Sequence, residues 1–333
     1  MNKLSSSYIA GKFRDLQSRM RSTYIDALKS GYDLWKVASV GEGDVVFKID
    51  KYSSDLIMDY FSKWGEETPL ILIDEEFGTL HFPKGLEQDD YKLRIILDRL
   101  DGSREIAFDL RTAWILTGAA INKGEKTSLN DIFVAMQTSI PTTREYISEV
   151  LISEDGKKPI LERFNILKNK VEEVLSLTPS KAKTIKYGKV SVVNFFPGAK
   201  KEIGEFEDKL FFKLFGPVKK NQALAYNDQW ICSAGQSYAL ATGKYRFVAD
   251  LRPLTERILN KRDEKLGLCC KPYDICTKRI AVDAGCIITD EHGNDLNPRL
   301  DTVTNLTWAG YANKNIRNEV EPVLMELIEE MKN

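Results

Sequence analysis

Histidine is nearly missing from this chain. Only His81 and His292 occur in 333 residues, which disfavours His-rich zinc chemistry and leaves few partners for a Ser-His-Asp or Cys-His arrangement. His81 follows "EEFGTL" in a strand-like stretch and His292 sits in the turn "TDEHGND", so both read as structural. Cysteine is sparse too: Cys232, Cys269, Cys270, Cys276 and Cys286 form an odd set without a C-x-x-C pair. Neither a disulfide framework nor a zinc site is indicated, and they read as reduced, mostly core thiols. A net charge of -1 gives no global attraction to nucleic acid or to an anionic membrane. The most apolar stretch, "TAWILTGAA" at 112 to 120, is far too short to span a bilayer. The chain opens without a basic segment followed by an apolar run, so a soluble, cytoplasmic protein is expected.

What is present is enough apolar residue for a large core, 43% of the chain, expected as two closely packed halves at 1–188 and 189–333. The basic, turn-rich "TPSKAKTIKYGK" at 178 to 189 marks the boundary. Apolar residues at Ile9, Phe13, Leu16, Met20, Tyr24 and Leu28 predict one face of a long helix, and Ser53 is an N-cap candidate for a second. "PLILIDEEFG" (69–78), "YKLRIILDRL" (91–100) and "EIAFDLRTAWILTGAAI" (105–121) are strand-like. "TTREYISEVLI" and "PILERFNILKNKVEEVLSL", between 142 and 177, show helical periodicity. Further on, a strand-like "KVSVVNFF", a helix around "EIGEFEDKLFFKLFG", a helix from Tyr273 to about Ala284, a strand "GCIIT" and a terminal helix "NEVEPVLMELIEEM" follow. This alternation predicts a layered mixed α and β architecture.

Three apolar runs end in carboxylates: Asp50 after "VVFKI", Glu75 and Glu76 after "LILID", and Asp98 and Asp101 around "IILDRLD". An isolated Asp-x-x-Asp is an ordinary turn. Acids at the ends of neighbouring core strands, however, can converge on one side of a sheet. Such a cluster is costly unless cations neutralise it, and oxygen ligands without histidine or thiolate suit Mg²⁺.

The series "KID" (48–50), "DEE" (74–76), "DRLDGS" (98–103) and "YDICTKRIAVDAGCIITDEHGNDL" (273–296) resembles the inositol monophosphatase and fructose-1,6-bisphosphatase superfamily. That family's signatures read roughly G-E-E, then D-P-I-D-G-T, then W-D-x-A-A-G with a following E-A-G-G, in this order. The resemblance implies an α/β (α+β) fold, the layered α/β/α/β/α sandwich of the sugar phosphatases. It also implies metal-binding carboxylates at Glu75, Asp98, Asp101 and Asp274, with the carbonyl of Leu100 as a further ligand; Glu76 is the alternative to Glu75. Two or three Mg²⁺ per site are implied. The counterparts of Asp50 and Ser103 hold and activate the attacking water, and the amides of Gly102, Ser103 and Arg104 bind phosphate oxygens. A side chain at 102 would obstruct the phosphate.

The chain departs from the family pattern in places. Arg99 and Leu100 stand for the usual Pro and Ile, Tyr273 for Trp, and "VDAGC" for "EAGG". The segment 250–272 looks longer than the usual connection; its basic residues, Arg257 and Lys271 among them, are candidates for binding a second anionic group of the substrate, against the plainer reading of a solvated, mixed-charge helix. The expected activity is Mg²⁺-dependent hydrolysis of an inositol phosphate or sugar phosphate, by a homodimer with no nucleic-acid polymer or membrane partner. The alternatives are a sugar bisphosphatase, a nucleotide 3'-phosphatase, or a catalytically silent phospho-ligand binding protein, for which Arg99 in the metal motif is the only hint.

Overall fold

The computed structural model describes residues 3–30, 34–40 and 45–332. Helix α1 (Ser6–Ser30) is followed by a ribbon of β1 (Val37–Val40) and β2 (Val45–Phe47), a 3-10 turn (Lys48–Ser53) and α2 (Ser54–Glu67). Ile9, Phe13, Leu16, Met20 and Tyr24 are fully buried, the single apolar face that their spacing predicts. Ser53 precedes α2 without capping it: its hydroxyl pairs with the Tyr24 hydroxyl at 2.8 Å.

Next come β3 (Leu70–Asp74), β4 (Gly78–Phe82), β5 (Leu93–Asp101), the short α3 (Ser103–Ala107), β6 (Ala113–Ile121), β7 (Ile132–Ile140), β8 (Ile147–Glu154), β9 (Ile160–Asn165) and β10 (Lys170–Ser176). They form one eight-stranded sheet in the order β10-β9-β8-β7-β6-β5-β3-β4, antiparallel except for the parallel β3–β5 pair. A smaller sheet is built from β11 (Lys189–Val192), β12 (Tyr226–Asn227), β13 (Tyr245–Asp250), β14 (Ile287–Thr289) and β15 (Trp308–Tyr311), in the order β12-β11-β13-β15-β14. Between its strands run α4 (Lys200–Phe215), α5 (Ser233–Ala241), α6 (Glu256–Asn260) and α7 (Lys278–Ala284), and α8 (Lys314–Lys332) follows.

Three apolar clusters fill the gaps between layers. One joins α1 and α2 to the large sheet; a second joins that sheet's other face to α5, α7 and the small sheet; a third joins the small sheet to α4 and α8. The result is a five-layer α/β/α/β/α sandwich. Among the described residues, no helix is long and apolar enough to cross a membrane.

The structure corrects three expectations. The segments read as helical between 142 and 177 are strands β8, β9 and β10. All seven residues of β10 are exposed, so its sequence carries no period of burial to read, and pairing with β9 overrides local propensity. The turn between β9 and β10 is fixed by Asn165, whose side chain accepts from the amides of Leu167 and Lys168 at 3.0 Å each. The strand-like run from Glu105 begins as α3 and becomes strand only at Ala113. Lastly, the helix expected from Tyr273 is a 3-10 turn (Tyr273–Ile275) followed by the separate α7, so Asp274 is presented from a turn.

Candidate active site

Asp98 and Asp101 are three residues apart, and in a regular strand odd spacing sends side chains to opposite faces. The pairing of β5 with β6 resolves this. Asp98 faces Leu116 and Asp101 faces Trp114, so β5 spends three steps where β6 spends two. The extra residue makes a bulge that turns both carboxylates to the face covered by α5 and α7. Leu100 sits in the bulge, its amide donating to Asp98 Oδ1 at 2.9 Å.

Asp274 reaches the same place from the turn before α7. One carboxylate oxygen from each of Asp98, Asp101 and Asp274 falls within 4.8 Å of the others. Glu75 lines the pocket with them, from its exposed rim. Its amide donates to the Leu97 carbonyl at 3.4 Å, which continues the β3–β5 ladder by one residue and places its side chain on the face opposite Asp74.

Arg99 explains why Glu76 is elsewhere. On β5 it faces away from Asp98, towards α2, where its Nε and Nη2 donate to Asp74 at 2.8 and 2.7 Å. Its Nη1 donates to Glu76 Oε2 at 2.5 Å and to the Ser54 hydroxyl at 2.8 Å. The guanidinium carbon lies 4.1 Å from the centre of the Phe77 ring. The cation that appears inside the metal motif in sequence is therefore outside the acidic pocket in space.

Electrostatics follow from burial. Asp98 is held well above the ordinary carboxylate value, first by burial and then by Glu75, Asp101 and Asp274. Burial lifts Asp101 to about 6, although the Ala234 amide at the start of α5 donates to it at 2.5 Å and pulls the other way. Asp274 is also pushed well up, by burial and then by Asp101, against a hydrogen bond from the Lys271 amide.

Leu100, Gly102, Ser103 and Arg104 line the pocket as well. Gly102 has φ of +88°, and a Cβ there would lie 3.1 Å from the Cys232 sulfur and 3.2 Å from its Cβ. Glycine is thus required by the close approach of Cys232 and by the backbone turn, a reason distinct from the clearance for phosphate that the sequence suggests. Asp50 falls in the turn 48–53; its side chain lies outside the described residues. Neither Arg257 nor Lys271 lines the pocket. The Arg257 guanidinium donates to the Lys332 carbonyl, and the Lys271 ammonium donates to Val303 O and Asn305 Oδ1 at 2.7 and 2.6 Å.

Several lining residues are not singled out by the sequence: Phe195, Phe196, Cys232, Arg252, Cys269 and Cys270. All five cysteines are free and buried, yet three of them face this cavity. The adjacent pair just before Asp274 was the available signal. Arg252 was one of several basic residues in 250–272, and only tertiary structure separates it from the rest. His81 packs on Tyr91 with ring centres 5.0 Å apart, and neither histidine lines the pocket.

No protein-family model matches the chain, and no curated protein matches it in sequence. Solved structures do match it in fold. A hypothetical protein from Pyrococcus horikoshii, described as having similarities to inositol-1 monophosphatase, aligns over 94% of this chain and 96% of its own, with 16% identity and a TM-score of 0.62. An IMPase of Thermotoga maritima aligns over 95% and 98%, with 16% identity and a TM-score of 0.60. The fructose-1,6-bisphosphatase of Leishmania major, in holo form, aligns over 96% and 93%, with 13% identity and a TM-score of 0.65. Aligning over nearly its whole length, the chain has the fold of the inositol monophosphatase and fructose-1,6-bisphosphatase superfamily.

Proposed function

We propose that the chain is a divalent-metal-dependent phosphomonoesterase acting on a small phosphate ester of the inositol phosphate or sugar phosphate class. The observation that carries this reading is the convergence of Asp98, Asp101 and Asp274 while the adjacent acids Asp74 and Glu76 are taken up by Arg99. Three oxygen donors so close together, raised by burial and mutual repulsion, fit a hard divalent cation such as Mg²⁺. Bound there, divalent cations supply neutralisation of the phosphoryl oxygens, activation of water and stabilisation of the leaving alkoxide.

The chain's own residues do the rest. Asp98, Asp101 and Asp274, with Glu75 at the rim, would hold the cations, and the Leu100 carbonyl would be a further donor. Amides of Gly102, Ser103 and Arg104 orient the phosphate. The Ser103 hydroxyl passes a hydrogen bond from the attacking water to a carboxylate, a part that the family resemblance assigns to Asp50. Burial, the largest cause for both, holds the Cys232 and Cys270 thiols well above their ordinary value. Such thiols stay protonated and make poor nucleophiles, which favours direct attack by water over a thiol-phosphate intermediate. The silent-binder alternative loses its motivation, because Arg99 pairs with Asp74 and Glu76 and does not line the pocket of Asp98, Asp101 and Asp274. The test is inorganic phosphate release from a panel of phosphomonoesters with and without Mg²⁺. Metal-dependent release from at least one ester is expected; none from any ester, with the protein folded, overturns the reading.

A further inference from the structure

Arg252 opens the turn after β13 and lines the acidic pocket. Its side chain is only 11% exposed. Nε and Nη2 donate to the buried Asp250 carboxylate at 2.8 and 2.6 Å, and Nη1 donates to the Leu268 carbonyl at 2.7 Å. Phe195 and Phe196, also lining the pocket, hold the guanidinium by their ring faces, with its carbon 4.9 and 5.5 Å from the two ring centres. A guanidinium carries five N–H donors in a planar fork. Three are committed here, which leaves one on each terminal nitrogen.

These two N–H groups are left to donate to an oxyanion, which a guanidinium binds by charge-assisted hydrogen bonds. The pair with Asp250 cancels most of the arginine's net charge, so its contribution is direction more than field. Because Asp250, Leu268 and the two rings already fix the side chain, little rotamer freedom is lost when a ligand arrives. The family resemblance places the transferred phosphoryl group at the metal ligands and the amides at 102–104. Arg252 belongs to a different element, the turn after β13, alongside the phenylalanines.

We propose that Arg252 is a specificity-determining residue that reads a second oxyanion, a phosphate or a carboxylate, on the alcohol portion of the ester. This rests on the phosphatase reading for its reaction. It transfers the role considered for Arg257 and Lys271 to a residue that lines the pocket.

The test compares glycerol 2-phosphate with 2-phosphoglycerate, which adds only a carboxylate, and with a hexose bisphosphate, which adds a second phosphate. Two variants are used. Arg252→Lys keeps a cation for Asp250 but loses the fork, and Asp250→Asn combined with Arg252→Gln removes both charges without orphaning either. Unfolding midpoints establish that each variant is folded. Wild type should favour at least one doubly anionic ester over glycerol 2-phosphate in KM by about tenfold or more, the scale of charge-assisted hydrogen bonds, and both variants should erase that ratio. Which of the two probes is favoured identifies the second group. An unchanged ratio, or kcat falling together for all esters, overturns the proposal, the latter because Arg252 would then act on the transferred phosphoryl group. If wild type releases phosphate from none of them, the phosphatase reading fails by itself. Calorimetric Kd values for the same ligands then decide the role of Arg252: a preference lost in the variants sustains it, and equal Kd values overturn it.

Discussion

Asp74 and Asp98 lie on neighbouring strands, 0% and 1% exposed, and the protein treats them in opposite ways. Asp74 faces α2 and meets Arg99 through two hydrogen bonds, with the amides of Glu76 and Phe77 donating to it at 3.0 and 2.8 Å. Asp98 faces α5 and meets Asp101, Asp274 and Glu75. A buried charge requires a partner, and the chain supplies one on the first face, from the very next residue of β5. On the second face the acids cluster instead, and the cation that reaches Asp101 and Asp274 is Arg252, itself paired with Asp250; the proposed cation site rests on this contrast.

The sharpest way to break this contrast is to neutralise Asp98. Asp98→Asn should lower metal-dependent phosphate release by about a thousandfold, the loss of several kcal/mol of charge stabilisation, while urea unfolding of the metal-free variant shows stability equal to or above wild type. The mirror change is Arg99→Met, which strands Asp74. It should cost about 3–5 kcal/mol in the same unfolding measurement, the reverse of the Asp98 result.

Acidity sharpens the comparison further. Asp101 has a folded value of about 6 against an ordinary 3.8, and Asp98 and Asp274 are also raised. A raised carboxyl binds more protons folded than unfolded, so the contribution of these three acids to metal-free stability should be fully present below the ordinary carboxylate value and be lost as pH rises through about 6 and beyond, against the opposite trend of the salt-bridged carboxylates elsewhere. Mg²⁺ should reverse the high-pH loss, adding ~3 kcal/mol at a hundred times its Kd; thermal unfolding across pH with and without metal reads both. Flat metal-free profiles would mean that the acids are already neutralised. The smallest expected effect separates neighbours. Glu76→Gln, whose carboxylate is 28% exposed, should change stability by less than about 1 kcal/mol and leave the Mg²⁺ dependence of phosphate release alone, whereas Glu75→Gln should raise the Mg²⁺ concentration needed.

Much of the fold is legible in the sequence. Helices α1, α2 and α8 follow from apolar spacing, and the strands ending at Asp74 and Asp101 from apolar runs stopped by acids. The order of the four motifs brings in Asp274 from far along the chain. The resemblance puts Glu75 first with Glu76 as the alternative; that Glu75 lines the pocket while Glu76 pairs with Arg99 depends on one more rung between β3 and β5 and on the direction taken by Arg99, which local pattern does not show. In the β8–β10 region β10 is wholly exposed and β8 and β9 are not buried in strict alternation, so none of the three shows the period of two that distinguishes a strand from a helix. Arg252, Phe195 and Cys232 reach the pocket through packing of the small sheet and α5 against the large one, and local pattern says nothing about such long-range meetings.

The bulge in β5 has a consequence for changes in chain length. Two acids share a side of an unbroken strand only at even separation, so removing Leu100 would bring Asp98 and Asp101 to a separation of two and let them stay together on a regular β5. The same deletion would draw the main chain back into the ladder and remove Leu100 from the lining of the pocket. Loss of a residue, ordinarily the harsher kind of mutation, would here keep both carboxylates on one face.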